Sequence, residues 1–222
     1  MNWQEFFKID SIVFTIFNYP VSYIELIGTL AGIIAVWLAA KSNLLTWPIG
    51  LINIILFFFI YFQIHLYSDM FLQVYYFIIS IYGWVYWKQK SLNKGAIYQL
   101  NLSQRIKFGI VILILSAILG YFISHIHQVF PKLFTSPASF PYVDTFVAVS
   151  SIVANTLLAR RVIDNWLLWI IVNVTCIYIY IQRGVYIIAF EFLIFLGIAV
   201  YALFYWKKLI NSQNNPHQFQ QI

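Results

Sequence analysis

The residues best suited to chemistry are Trp166, Trp169 and Asn173. They are spaced i, i+3, i+7, so at about 100° per residue they fall within about 60° of one another on one helix face. Two indoles offer stacking surfaces, and their ring faces attract a cationic ring. An amide beside them can orient what stacks. The plainer reading gives Trp166 to an interfacial aromatic belt and Asn173 to a hydrogen bond between helices. A second group, Trp47 and Asn53, lies in the run Trp47-Pro48-Ile49-Gly50-Leu51-Ile52-Asn53. Pro48 falls in the first turn of its helix, where it costs little. A third group, Asp69, Gln73 and Tyr76, is spaced i, i+4, i+7. Asp69 suits the positive start of a helix, which leaves Gln73 as the deeper polar group. Glu191 is an acid well inside an apolar run, about six residues or roughly 9 Å from its end. It is expected to counter a cationic substrate, to carry a proton, or to sit protonated and hydrogen-bonded.

Other chemistry finds little support. Ser124, His125 and His127 cluster, but histidines at i and i+2 point nearly opposite ways on a helix. No HExxH, GxSxG or glycine-rich phosphate loop occurs. The single cysteine, Cys176, permits no internal disulfide. An enzyme is not expected, nor a metal or cofactor.

The elements that position these groups follow from composition. Of 222 residues, 62% are apolar, 20% aromatic and only 9% charged. A soluble chain this size cannot hide so much apolar surface. The net charge of +6 therefore reads as basic loops beside a bilayer rather than a nucleic-acid footprint. Seven runs are long enough to cross a membrane as helices: about 20–40, 44–65, 67–87, 106–127, 142–159, 163–182 and 185–206. Residues 1–19 carry aromatic and apolar side chains at helical spacing and are expected to form an interfacial amphipathic helix. Residues 209–222 are expected to be a polar, disordered tail. Lys8, Lys132 and Arg183 fall on one side of the membrane. Lys41, Lys88, Lys90, Lys94, Arg105, Lys107, Arg160, Arg161, Lys207 and Lys208 fall on the other. That asymmetry predicts the amino terminus outside and the carboxyl terminus in the cytoplasm.

The chain also repeats itself at a shift of 119 residues, without a gap. Lys41 meets Arg160, Trp47 meets Trp166, and Tyr61, Gln63 and Tyr67 meet Tyr180, Gln182 and Tyr186. Tyr82, Tyr86 and Trp87 meet Tyr201, Tyr205 and Trp206. The first three spans map onto the last three with four crossings between partners, so the two triplets point the same way. The expected fold is an all-α membrane protein. Its two parallel three-helix repeats, 20–87 and 142–208, are joined by a linker region, 88–141, in a SWEET-like 3+1+3 plan. In such a plan a substrate site lies between repeats near the midplane.

Four motifs carry a resemblance: Trp47-Pro48-x-Gly50-x-x-Asn53, Leu66-Tyr67-Ser68-Asp69-x-x-Leu72-Gln73, Tyr82-Gly83-Trp84-x-x-Trp87, and Trp166-x-x-Trp169-x-x-x-Asn173. Together they resemble the nicotinamide riboside transporter family, PnuC, over residues 23–208. The resemblance implies a seven-helix core, usually trimeric, in the bacterial inner membrane. It also implies facilitated diffusion of a vitamin precursor that a cytoplasmic kinase then traps. It places Trp166, Trp169 and Asn173 at the substrate, with polar groups of the second and third spans opposite. Relatives of this fold carry thiamine or riboflavin. Nicotinamide riboside and thiamine are both flat, cationic and hydroxyl-bearing. Glu191 fits either cation and argues mildly against neutral riboflavin. From other classes, a seven-helix sensor remains an alternative, as does an intramembrane enzyme. A retinal protein would need a lysine deep in the last span, which has none before Lys207.

Overall fold

A computed structural model describes residues 7–16, 19–65, 67–91, 96–130 and 139–214. The elements are β1 (Ile12–Ile16), β2 (Tyr19–Ser22), α1 (Tyr23–Ala40), α2 (Thr46–Gln63), α3 (Tyr67–Ser91), α4 (Leu102–Val129), α5 (Pro141–Ala159), α6 (Asn165–Gln182) and α7 (Tyr186–Asn214). Six of the described helices are long and apolar enough to cross a bilayer. The 18 residues of α1, α2 and α6 each reach about 27 Å, close to a hydrocarbon core of about 30 Å. The remaining helix, α3, has the length at 25 residues but carries Asp69 and Gln73 early and Lys88, Gln89 and Lys90 late.

The chain divides into two compact units, residues 1–96 and 97–222. In the first, α1 packs on α2 and α2 on α3. Small residues on α1 let the backbones approach. A Cβ on Gly28 would stand 3.0 Å from the Phe57 ring, and one on Gly32 would stand 2.8 Å from Asn53 Nδ2. In the second unit the helices pack in series, α4 on α5, α5 on α6, and α6 on α7. Gly120 of α4 admits the Tyr142 ring, which a Cβ would meet at 2.4 Å. Thr145 Oγ1 donates to the Ser116 carbonyl at 3.0 Å.

Two sequence expectations are corrected. The first concerns residues 1–19. Residues 1–6 lie outside the described set, but Ile12–Ile16 is a strand, paired antiparallel with Tyr19–Ser22. Ile12, Val13, Thr15 and Ile16 are β-branched and favour a strand over a helix. Pro20, lacking an N–H, cannot sit inside a helix. Gln63 at the end of α2 holds the segment just before the hairpin. Its Nε2 donates to the Phe7 carbonyl at 2.8 Å, and its Oε1 accepts from Ile9 N at 3.1 Å. The second concerns the tail. α7 continues through Asn214, so residues 209–214 are helical. Ser212 Oγ donates back to the Lys208 carbonyl, and Gln213 Oε1 accepts from Ile97 N at 3.2 Å. Residues 215–222 lie outside the described set.

Several features recur 119 positions apart. α1 and α2 end at Ala40 and Gln63, α5 and α6 at Ala159 and Gln182. Ser42 and Arg161 both adopt positive φ, at 54° and 58°, and so do His65 and Gly184, at 60° and 72°. Trp47 meets Trp87 edge-on at 5.3 Å, and Trp166 meets Trp206 edge-on at 5.7 Å.

Candidate functional site

α6 begins one residue after Asp164, whose carboxylate fixes the linker. Asp164 Oδ2 accepts from Leu100 N at 2.8 Å, and Oδ1 accepts from Arg105 Nε at 2.6 Å. Tyr98 forms a parallel bridge to the turn, through Tyr98 N to the Arg161 carbonyl and Ile163 N to the Tyr98 carbonyl. Asn101 then caps α4 in a capping box with Gln104, so this helix starts at Leu102. None of these long-range bonds is visible in local sequence pattern.

Along α6, Trp166 is 1% exposed and packed edge-on against Trp206 of α7. Its indole N–H is buried without a hydrogen-bond partner among the described residues. Trp169 is half-buried. Asn173 is 3% exposed, and no hydrogen bond to its amide occurs among the described residues. Among the described residues its donors and acceptor are therefore unspent at mid-helix. Two residues from the end of α6, Tyr180 stacks on Phe192 of α7 at 5.5 Å.

The first unit holds Trp47, Asn53, Gln73 and Tyr76. Trp47 is 3% exposed and lies against Trp87, over Gly83, where a Cβ would stand 2.4 Å from the indole. Asn53 Nδ2 donates to the Gly28 carbonyl at 2.8 Å, so that donor joins two helices. Gln73 is half-buried on α3, and Tyr76, also half-buried, lies beside Tyr75 at 5.5 Å. Asp69 sits in the first turn of α3, as its chemistry suggests.

Glu191 is half-buried on α7, in the second unit. The Trp166–Trp206 and Tyr180–Phe192 contacts fix the register of α6 against α7. They put Glu191 beside the level of Ile181, eight residues or about 12 Å along α6 from Asn173. Asn173 and Glu191 therefore stand at different levels of the helix pair. Nearby, Arg183 pairs with Asp144 through both carboxylate oxygens, at 3.1 and 2.8 Å, and lies over the Phe140 and Tyr180 rings.

The Ser124–His125 contact does not make a nucleophile. Ser124 Oγ lies 2.8 Å from His125 Nδ1 but also 2.8 Å from the Tyr121 carbonyl, which that nitrogen meets too. No cluster of metal-ligating side chains occurs among the described residues.

This chain is similar to known proteins over most of its length. The profile of the family described as nicotinamide mononucleotide transporter matches residues 22–208. The nicotinamide riboside transporter PnuC of Escherichia coli (strain K12) is 34% identical, covering 94% of this chain and 95% of the relative. The riboflavin/roseoflavin transporter RibM of Streptomyces davaonensis is 21% identical over 97% of both. The crystal structure of the vitamin B3 transporter PnuC superposes with a TM-score of 0.65 at 20% identity, covering 86% of this chain and 83% of that one. The WxxWxxxN face thus lies within the region the family profile spans, and the chain belongs to the nicotinamide mononucleotide transporter family, membrane transporters rather than enzymes.

Proposed function

We propose that this protein carries nicotinamide riboside into the cell by facilitated diffusion, with a cytoplasmic kinase trapping the product. The observation that carries the site is the buried, unspent amide of Asn173 on the face it shares with Trp166 and Trp169. The 34% identity to a nicotinamide riboside transporter supports the substrate. In this reading Asn173 orients the ligand and Trp169 covers it. Trp166, locked by Trp206, shapes the wall. Glu191 faces the cationic ring; Gln73, Tyr76, Trp47 and Asn53 are the first unit's candidate residues. Asn53 acts mainly as a brace, given its bond to Gly28.

The same reading takes all seven helices as spans. The two units carry parallel three-helix repeats joined by α4, as the recurrence of helix ends and positive-φ turns at 119 positions supports. The amino terminus lies outside and the carboxyl terminus in the cytoplasm of a bacterial inner membrane, and three copies assemble in the bilayer. Thiamine is the second reading, because Glu191 suits either cation.

Uptake of labelled nicotinamide riboside, thiamine and riboflavin into proteoliposomes tests this. Nicotinamide riboside should enter without an imposed gradient and stop at equal concentrations. Preferential entry of thiamine would replace the substrate. Accumulation above equilibrium without a kinase would replace the mechanism.

A further inference from the structure

The register of α6 on α7 points to a residue that no motif marks. Trp166 faces Trp206 and Tyr180 faces Phe192. Asn173 lies midway between Trp166 and Tyr180, and Ala199 lies midway between Phe192 and Trp206. The antiparallel helices therefore set Ala199 opposite Asn173, and both are buried, at 1% and 3% exposure. In the first unit Trp47 against Trp87 fixes the corresponding register of α2 on α3. There the facing pair is Ile54 and Ser80, both buried. The polar group has changed helix between units, and its partner in the second unit is reduced to a methyl.

A methyl does two things for a buried amide. It offers no hydrogen bond, so the amide's donors and acceptor stay available. It also takes little space, where a larger side chain would fill the volume beside the amide. We infer that Ala199 is a specificity-determining residue of this transporter, keeping the Asn173 amide both unpaired and sterically reachable for a polar group of the substrate. The inference rests on the proposed role of Asn173.

Substitution separates the two ideas. Ala199→Ser places a hydroxyl where Asn173 can bond to it. It should raise the thermal midpoint of the full-length protein while weakening nicotinamide riboside, by calorimetry, about five- to tenfold. A merely structural position would move stability and affinity together. Ala199→Val should weaken the ligand tenfold or more. Ala199→Gly, which cannot clash, should shift the affinity ratio between nicotinamide riboside and its N-methylcarboxamide or 2′-O-methyl analogue toward the bulkier ligand. Ser80→Ala is the control and should leave affinity unchanged. Unaltered affinity in Ala199→Ser together with an unaltered ratio in Ala199→Gly overturns the role of Ala199. If Asn173→Leu also binds normally, the site itself is wrong, whereas loss of binding there with Ala199 variants neutral sinks only this inference.

Discussion

The two units use one helical plan and spend their polar groups differently. In the first, Asn53 of α2 crosses to the Gly28 carbonyl of α1. In the second, the carbonyl 119 positions on belongs to Val147, and Ser151 of the same helix satisfies it at 2.7 Å. Val172 stands where Asn53 stood. The asparagine of α6 is one residue further on, turned about 100° away from α5, and its amide stays free of the bracing task. The turns differ as well. Leu45 precedes α2 and is 55% exposed, its N–H held by Asn43 Oδ1. Asp164 precedes α6, is 4% exposed, and ties the linker down. The lesson is that a hydroxyl able to bond its own helix can release an amide for another use. Here Asn53 is a brace, and in the proposed reading Asn173 is the recognition group.

The turns offer the largest test. Asp164→Ala strands the Leu100 N–H and Arg105 together. Breaking a buried pair costs about 3–5 kcal/mol, and Arg105, at 39% exposure, recovers part of that in solvent. A loss of about 2–3 kcal/mol is expected, read as thermal midpoint in detergent. Leu45→Ala, at the equivalent exposed position, should stay within about 0.5 kcal/mol. Equal losses at the two turns would erase the contrast between them.

The asparagines come next. Asn173→Leu should cost binding about 1–3 kcal/mol, the price of an unpaired polar group on the ligand, with the fold intact by gel filtration. Asn53→Leu should instead lower the thermal midpoint, because it unbonds Gly28 and forces bulk against Gly32. Should the two swap behaviours, the assignment of brace and recognition is reversed.

How far the sequence carries this contrast depends on range. Long, uniformly apolar runs made the helices legible, although α3, α4 and α7 run several residues past the expected spans, where polar residues continue the helix. The hairpin at Ile12–Ser22 was not, since its aromatic residues also fit a helical stripe and its pairing is decided by β-branching and Pro20. The clamp by Asp164 joins residues 59 and 64 apart, and no local pattern announces it. Asn53 and Asn173 look alike as mid-span amides. Only the partner separates them, although the repeat held a clue: shifting Asn53 by 119 lands on Val172 and so on another helix face.

Glu191 gives a smaller effect. A carboxylate in a low-dielectric span attracts a cation strongly. Glu191→Gln should weaken nicotinamide riboside about tenfold, about 1.4 kcal/mol, and its neutral reduced form much less, by titration calorimetry. Its repeat partner is Leu72, so the equivalent change in the first unit, Leu72→Gln, should not discriminate between the two ligands. Equal losses for both ligands at Glu191 would make it a packing residue.

The smallest effect concerns the far ends of the two middle helices. Arg183, just past α6, reaches Asp144 of α5. Ile64 stands at the matching place past α2, and Gln63 holds the chain there by three neutral hydrogen bonds to Phe7, Ile9 and Phe59. One end is thus closed by charge and the other by dipoles. One guanidinium nitrogen reaches both carboxylate oxygens, but the side chains are 32% and 42% exposed. Exposed pairs contribute about 0–1 kcal/mol and are screened by salt. Asp144→Asn should therefore lower the thermal midpoint slightly in low salt and negligibly near 1 M, where the screening length is about 3 Å. Gln63→Ala should cost more, about 1–2 kcal/mol, since net neutral hydrogen bonds contribute about 1 kcal/mol each and one of these stays within its own helix. That cost should be the same at both salt concentrations. Melting curves of the two variants across a salt series read the difference directly. A salt-independent loss at Asp144 would mean that Arg183 acts through its packing on Phe140 and Tyr180 rather than through charge, and the two ends would then be closed by the same kind of force.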